Sequence, residues 1–517
     1  MIACVVVPAR DEEELIGACI AALAAQEGVS RGDYEVLLVL DRCSDATAER
    51  ARAAAGDMTL HIVEAAEPGV GHARRHGMDL AAERLPPHGL IATTDADSEP
   101  APDWLRRQLD AVATGARAIG GRIELGAHDL PPETIRLRER DAARRHASVV
   151  TAGVREHHQF SGASLAVTAA TYSLVGRLEP RAALEDEGFE RALHRHGVPI
   201  ERLAAVRVTT SGRRFGRTGR GLAVDLRRTG WLAERSYHAD DFPLDRLRAL
   251  KDRTISVILP AREVAGTIGS VLDAIAGLGD LVDELLVVDA ASADGTAAIA
   301  TRRGAWVEQE SALQPAYGPA QGKGDALWRG LSATTGELIC FLDTDTTDFD
   351  PRLALGVLGP LLADPRLAFV KGHFRRPFKT TGGIDPNGGG RVTELLARPY
   401  LNLHFPELAG FHQPLAGEVA ATRELLEQLA FPVGYGVEIA NLIDAHRLVG
   451  LERMAQTDLG TRQNRHQSLR ALSRMAFEVL AAAERRTHSS TAVPGPLVLP
   501  DGETLTTRTD ERPPLSA

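Results

Sequence analysis

Leu338-Ile339-Cys340-Phe341-Leu342-Asp343-Thr344-Asp345 is an apolar run closed by two aspartates one residue apart, and Leu90-Ile91-Ala92-Thr93-Thr94-Asp95-Ala96-Asp97 repeats the pattern 248 positions earlier. The surroundings match too. Upstream of each pair come an apolar strand ending in Pro-Ala-Arg (Pro8-Ala9-Arg10 and Pro260-Ala261-Arg262) and a second strand ending in aspartate (Asp41 and Asp289). The same landmarks in the same order imply one fold built twice.

Working outward, residues 4–7 form a first strand, after which Leu15, Ile16, Ile20 and Leu23 recur at helical spacing. Residues 35–40, 59–63 and 89–94 read as further strands, with helices over 45–55 and 73–85. The second copy repeats the order with strands at 256–259, 284–288 and 338–342 and helices at 266–278, 295–303 and 324–334. Continuous apolar strands alternating with helices imply a parallel sheet covered on both faces. The predicted fold class is therefore α/β: two Rossmann-like, mostly parallel sheets with flanking helices, in tandem. The expected boundaries are 1–233 for the first domain, a polar connector at 234–253, the second domain at 254–485, and a mobile tail at 486–517 rich in Thr, Ser, Pro and Asp.

A chain of 517 residues is too long for one core, which suits two domains. Its 44% apolar and 25% charged residues are those of a soluble globular protein. A net charge of -11 and 4% aromatic residues argue against a nucleic-acid partner, which needs clustered cations and stacking rings. Cys4, Cys19, Cys43 and Cys340 are too scattered for a zinc site and suit a reducing compartment, so a cytoplasmic location is expected. No apolar run reaches the ~18 residues that span a bilayer. The first residues turn acidic at Asp11-Glu12-Glu13-Glu14, which suits a core strand rather than a secretion leader.

The carboxyl edge of an open parallel sheet is where ligands bind, so the two acidic pairs project into the expected crevices. Two hard oxygen ligands there suit Mg2+ or Mn2+, which neutralises a diphosphate. Asp-x-Asp alone is a weak signal: Asp348-Phe349-Asp350 has it without a preceding strand. Asp41 and Asp289 are placed to accept from a base or ribose, while Asp45 and Asp294 are expected to cap the helices that follow.

Gly318-Pro319-Ala320-Gln321-Gly322-Lys323-Gly324 is not a Walker loop, because Tyr317 and Gly324 stand where that loop needs Gly and Ser or Thr. Its lysine can still reach a phosphate. The matching Gly69-Val70-Gly71-His72-Ala73-Arg74 lacks the third glycine of a dinucleotide fingerprint, so nicotinamide chemistry is not expected. Gly388-Gly389-Gly390-Arg391-Val392-Thr393 offers amides, a guanidinium and a hydroxyl to a phosphate or carboxylate; a plain exposed loop is the alternative. Arg462-Gln463-Asn464-Arg465-His466 is either a polar cluster closing over the site or a solvated loop.

The first half, through Val7-Pro8-Ala9-Arg10-Asp11-Glu12, Asp95-Ala96-Asp97, Phe160-Ser161-Gly162-Ala163 and Leu184-Glu185-Asp186-Glu187, resembles family 2 glycosyltransferases of the GT-A fold. The second half resembles glucosyl-3-phosphoglycerate synthases more closely. The strings that carry this are Gly322-Lys323-Gly324-Asp325-Ala326-Leu327-Trp328-Arg329, residues 388–398, Gln413-Pro414-Leu415-Ala416-Gly417-Glu418 and Gly434-Tyr435-Gly436-Val437-Glu438.

The resemblance implies transfer of glucose from a nucleotide-diphosphate glucose, with UDP-glucose expected, to the 2-hydroxyl of 3-phosphoglycerate. It implies retention at the anomeric carbon and a divalent ion, Mg2+ or Mn2+. Carried over by motif, Pro260, Glu263, Asp289, Ser292, Lys323 and Asp343 surround the nucleotide sugar, and Asp345 binds the metal. Glu438 holds the sugar, Leu415 steers the acceptor hydroxyl through its carbonyl, and Gly390, Arg391, Thr393 and Arg462 take the acceptor. Where the family reads Pro-Ala-x-Asn-Glu, this chain has Pro260-Ala261-Arg262-Glu263. Where it reads Arg-x-His-Arg-Asn, His and Asn have exchanged places here, so either Asn464 or His466 completes the metal shell.

For the first half the resemblance implies Pro8, Asp41 and Asp95 on a nucleotide sugar, Asp97 on a metal, and Asp186 as general base toward a small acceptor. The other reading is that one half is a catalytically silent nucleotide-sugar binding or regulatory module. A homodimer is compatible with either.

Overall fold

The structure is a computed structural model that describes residues 2–126, 130–150, 156–181, 183–216, 220–380, 383–385, 389–462, 468–488, 495–499 and 503–516. It divides into two units, Met1–Gly230 and Trp231–Ala517.

The first unit contains β1 (Ala3–Ala9), β2 (Tyr34–Leu40), β3 (Leu60–Glu64), β4 (Leu90–Thr93), β5 (Ser98–Pro100), β6 (Ala118–Leu125), β7 (Leu165–Thr168) and β8 (Glu201–Thr210). They form one sheet in the order β3-β2-β1-β4-β7-β6-β8-β5. β1 to β4 are parallel neighbours, and β7 runs antiparallel between β4 and β6. The unbroken apolar character of β1 has a simple cause. Val5 and Val7 pack with Ile16, Ile20 and Leu23 on one face, while Cys4 and Val6 pack with Ala73, Met78 and Ala81 on the other.

The second unit contains β9 (Ser236–His238), β10 (Ile255–Ala261), β11 (Glu284–Asp289), β12 (Trp306–Gln309), β13 (Leu338–Phe341), β14 (Phe369–Arg375), β15 (Phe378–Thr380), β16 (Gly383–Asp385), β17 (Val419–Thr422), β18 (Phe431–Pro432), β19 (Met454–Thr461), β20 (Leu497–Val498), β21 (Thr504–Leu505) and β22 (Glu511–Arg512). Its main sheet runs β12-β11-β10-β13-β17-β14-β19-β9, which is the first sheet's order with β9 at the far edge in place of β5. The duplication extends to packing. A Cβ on Gly77 would lie 2.4 Å from Val6 Cγ1, and one on Gly330 would lie 2.6 Å from Ile258 Cγ2. In both units a helix thus rests directly on the first strand at a glycine.

Two expected boundaries need correction. The polar stretch 234–253 is not a free connector: β9 pairs in parallel with β19, and Phe242 and Leu247 are buried in the second core. Phe242 and Leu247 find pockets that composition does not reveal, while Leu250 stays exposed. Residues beyond 486 do not behave as a mobile tail where they are described. β22 pairs antiparallel with β18, and Arg512 binds the fully buried Asp325 at 2.8 and 2.6 Å. The Trp328 indole N–H donates to the Pro513 carbonyl at 2.8 Å. A distant buried carboxylate anchors this segment, and local sequence carries no sign of it.

Candidate functional site

In the second unit, the turns after β10, β11 and β13 meet the start of the helix Lys323–Ala333 around a cleft of 870 Å3. Pro260, Lys323, Asp343, Asp345, Gly390, Arg391, Thr393, Leu415 and Glu438 all line it. Nucleotide-side and acceptor-side residues, 178 positions apart at the extremes, therefore share one cavity of the size that holds a small ligand.

Lys323 is the centre of its charge pattern. Its ammonium lies 2.6 Å from Asp343 Oδ1 and 2.7 Å from Glu438 Oε1. Burial works against the charged lysine, but Asp343 and Glu438 outweigh it and raise its pKa well above the ordinary value. Burial likewise works against the Asp343 carboxylate, and Lys323 followed by Arg462 holds its pKa below the usual range. A Cβ on Gly417 would come within 2.6 Å of both Asp343 oxygens and of Lys323 Nζ, so this backbone closes the pair from behind. Asp345 is different: its side chain is 70% exposed, with Arg462 Nη2 at 3.7 Å.

Arg462 does not line the cleft with the acceptor-side residues. It is 4% exposed and ion-paired to the buried Glu418, so it backs the acidic pair instead. Glu263 and Ser292 also stand outside the lining. The Glu263 N–H donates to Ser292 Oγ at 2.9 Å and the Ala293 N–H donates to Glu263 Oε1 at 2.7 Å, which locks the β10 and β11 turns together. Their neighbours Arg262, Val264, Ala290 and Ala291 face the cleft. Asp289 accepts from the Ser292 N–H and from Gln309 Nε2, while its Oδ1 is buried without a hydrogen-bond partner among the described residues. Asn464 and His466 lie outside the described residues.

Sequence reading missed several cleft residues. Arg376 and Arg508 line it, as does Glu310, whose carboxyl burial pushes up to about 7. Lys371 stands behind it, 1% exposed, donating to the Ala416 carbonyl at 2.9 Å, with burial lowering its pKa to about 8. Arg376 has no local signal, since it stands 12 positions before Gly388 and meets that turn only through space, where a Cβ on Gly389 would lie 2.5 Å from Arg376 Cβ. Arg508 has none, because it belongs to the supposed tail.

The first unit repeats the loop chemistry. The Glu12 N–H donates to Thr47 Oγ1 at 2.8 Å, as the Val264 N–H does to Thr296 Oγ1 at 3.0 Å. Asp45 and Asp294 both cap, accepting from the Thr47 and Thr296 N–H at 3.0 Å. Pro8 lies buried within β1, and Asp41 accepts from the Gly69 N–H at 2.9 Å. Asp186 accepts from the Gly162 N–H at 3.1 Å beside the start of β7. Two residues not foreseen as partners hold the acidic pair: Arg74 at 2.8 Å from Asp95 and Arg213 at 2.9 Å from Asp97.

The family description "Glycosyl transferase family 2" matches residues 4–148 and 256–414, more than half of the chain and a stretch of each unit. The chain belongs to this glycosyltransferase family. Among its relatives, the glucosyl-3-phosphoglycerate synthase of Mycolicibacterium smegmatis is 44% identical over 294 residues, 55% of this chain and 97% of the relative. That of Petrotoga mobilis is 40% identical over 263 residues, 49% of this chain and 81% of the relative. Among solved structures, mannosyl-3-phosphoglycerate synthase of Rubrobacter xylanophilus is 45% identical, covering 55% of this chain and 98% of that one at a TM-score of 0.51. A glucosyl-3-phosphoglycerate synthase of Mycobacterium tuberculosis, solved with Mn2+, UDP-glucose and phosphoglyceric acid, is 39% identical with the same coverage and a TM-score of 0.50. This family 2 enzyme is thus two GT-A units in tandem, and among the described residues no helix is long and apolar enough to cross a membrane.

Proposed function

We propose that the second unit transfers glucose from UDP-glucose to the 2-hydroxyl of 3-phosphoglycerate, with retention and with Mg2+ or Mn2+. The observation that carries this is the single cleft in which Lys323 joins Asp343 to Glu438 opposite Gly390, Arg391 and Thr393. The relatives named above, and one solved with both substrates, support the choice of donor and acceptor.

Asp345, with hard oxygens open to the cleft, fits a divalent ion, and with Asn464 or His466 it would hold one that would offset the negative charge of the diphosphate. Lys323 holds Asp343 in place and aligns Glu438, whose remaining oxygen is available to a sugar hydroxyl. Arg391 and the Thr393 hydroxyl offer donors to the acceptor's phosphate and carboxylate. The acceptor oxygen bonds to the anomeric carbon as its bond to the diphosphate breaks, and the hydroxyl proton leaves with the diphosphate. Leu415 steers that hydroxyl through its carbonyl, so no dedicated base is required. Arg462, through Glu418 and Asp345, is a positioning residue.

For the first unit the proposal is sugar transfer to a small acceptor with Asp186 as base, supported by its place beside the start of β7. Incubation of the full chain with Mn2+, UDP-glucose and 3-phosphoglycerate should yield glucosyl-3-phosphoglycerate and UDP. Asp343→Asn with Asp345→Asn should abolish this; turnover surviving that change would refute the site.

A further inference from the structure

The acidic pair Asp95-Ala96-Asp97 is the first unit's counterpart of Asp343-Thr344-Asp345, and it invites the same divalent ion. Its surroundings do not fit one. Arg74 is 2% exposed and reaches Asp95 at 2.8 Å, and it is fixed from other sides by Glu185 at 3.0 Å, Thr93 Oγ1 at 3.2 Å and the Gly162 carbonyl at 3.1 Å. Arg213 reaches Asp97 at 2.9 Å while bonding both oxygens of Glu12, at 2.7 and 2.8 Å.

Position 12 explains why the two units differ. Glu12 and Val264 occupy the same place in the turn after the first strand, as their matching bonds to Thr47 and Thr296 show. The glutamate supplies a buried bidentate anchor for a guanidinium over the acidic pair. Valine cannot, and in the second unit Arg462 turns to Glu418 and leaves Asp345 at 3.7 Å and open.

We infer that the acidic pair Asp95-Ala96-Asp97 holds no divalent ion: Arg74 and Arg213 stand in its place. An incoming ion would have to displace from Asp97 an arginine that both Glu12 oxygens hold in place, and would face a second, buried guanidinium on Asp95. The second-unit ion rests on the function proposed above; the exclusion from the first-unit pair does not.

The test is the number of Mn2+ ions bound by the metal-stripped full chain in saturating UDP, read from the electron paramagnetic resonance of free Mn2+. The two acidic pairs together are expected to hold one ion, and any ion taken up by the separate cluster Asp11, Cys43 and Asp45 would survive both double changes. Asp95→Asn with Asp97→Asn should leave that ion, and Asp343→Asn with Asp345→Asn should remove it. An ion lost on the first-unit change would overturn the inference. No ion at all would refute the proposed second-unit site and agree with the exclusion. Should the second-unit variant fail to fold, the first-unit variant measured against wild type still decides. Arg213→Ala should admit a second, weaker ion that the added Asp97→Asn removes; no gain at millimolar Mn2+ would refute the guanidinium as the cause.

Discussion

Replacing Lys323 by methionine keeps an unbranched side chain one atom shorter and removes the ammonium between Asp343 and Glu438. Two carboxylates, bound to one ammonium at 2.6 and 2.7 Å, would then face each other without a cation. Breaking a fully buried pair by removing one partner costs about 3–5 kcal/mol. The side chains here keep 21% and 23% exposure at Lys323 and Asp343, which places the loss below that range, at about 2–3 kcal/mol of unfolding free energy. Activity should suffer more. Lys323 positions both carboxylates, and misplacing such groups costs on the order of 10²-fold in kcat. The pH profile should move as well. Lys323 is the main group holding Asp343 below its usual pKa against burial, so in the variant that carboxyl rises and activity fails at a higher pH than in wild type. Initial rates of UDP release between pH 5 and 9, with a urea melt on the same preparations, measure all three. A kcat/KM within threefold of wild type would refute the assignment of Lys323 to the reaction.

Gly417→Ala puts a methyl 2.6 Å from the Asp343 carboxylate and Lys323 Nζ, so kcat should fall at least about tenfold, as expected of a misplaced catalytic group, with circular dichroism unchanged. Arg512→Ala strips the buried Asp325 of two bonds but leaves it Arg329, and a urea melt should show a loss of about 2–3 kcal/mol, with faster proteolysis after residue 488. Lys371 is depressed by burial from 10.5 to about 8, so between these pH values the unfolded chain binds more protons than the folded one. Stability should therefore rise across that window, by up to about 3 kcal/mol, and Lys371→Met should abolish the rise in thermal melts at pH 7.5 and 10.

Much of the fold is legible because its cause is local. The runs Cys4-Val5-Val6-Val7 and Ile339-Cys340-Phe341-Leu342 are apolar at every position because helices cover both faces, and a two-sided strand needs no partner's identity to be recognised. Asp45 and Asp294 cap from two residues away, again a local device. The landmarks of the cleft were equally readable, since Lys323, Asp343, Arg391 and Glu438 each stand at a strand end, a helix start or a glycine turn. What failed did so through distance. Arg512 meets Asp325 across 187 residues, β9 joins β19 across about 220, and Arg213 closes on Glu12 across 201.

The sequence by itself determined that this protein is one α/β fold written twice, with an acidic pair at the same strand end in each copy, because strand periodicity and turn chemistry act over a few residues. Only the tertiary structure decided that the two pairs differ. A carboxylate's partner is set by which side chain folding delivers within 3 Å, and here it delivers a lysine and an open cleft to one pair and two anchored arginines to the other.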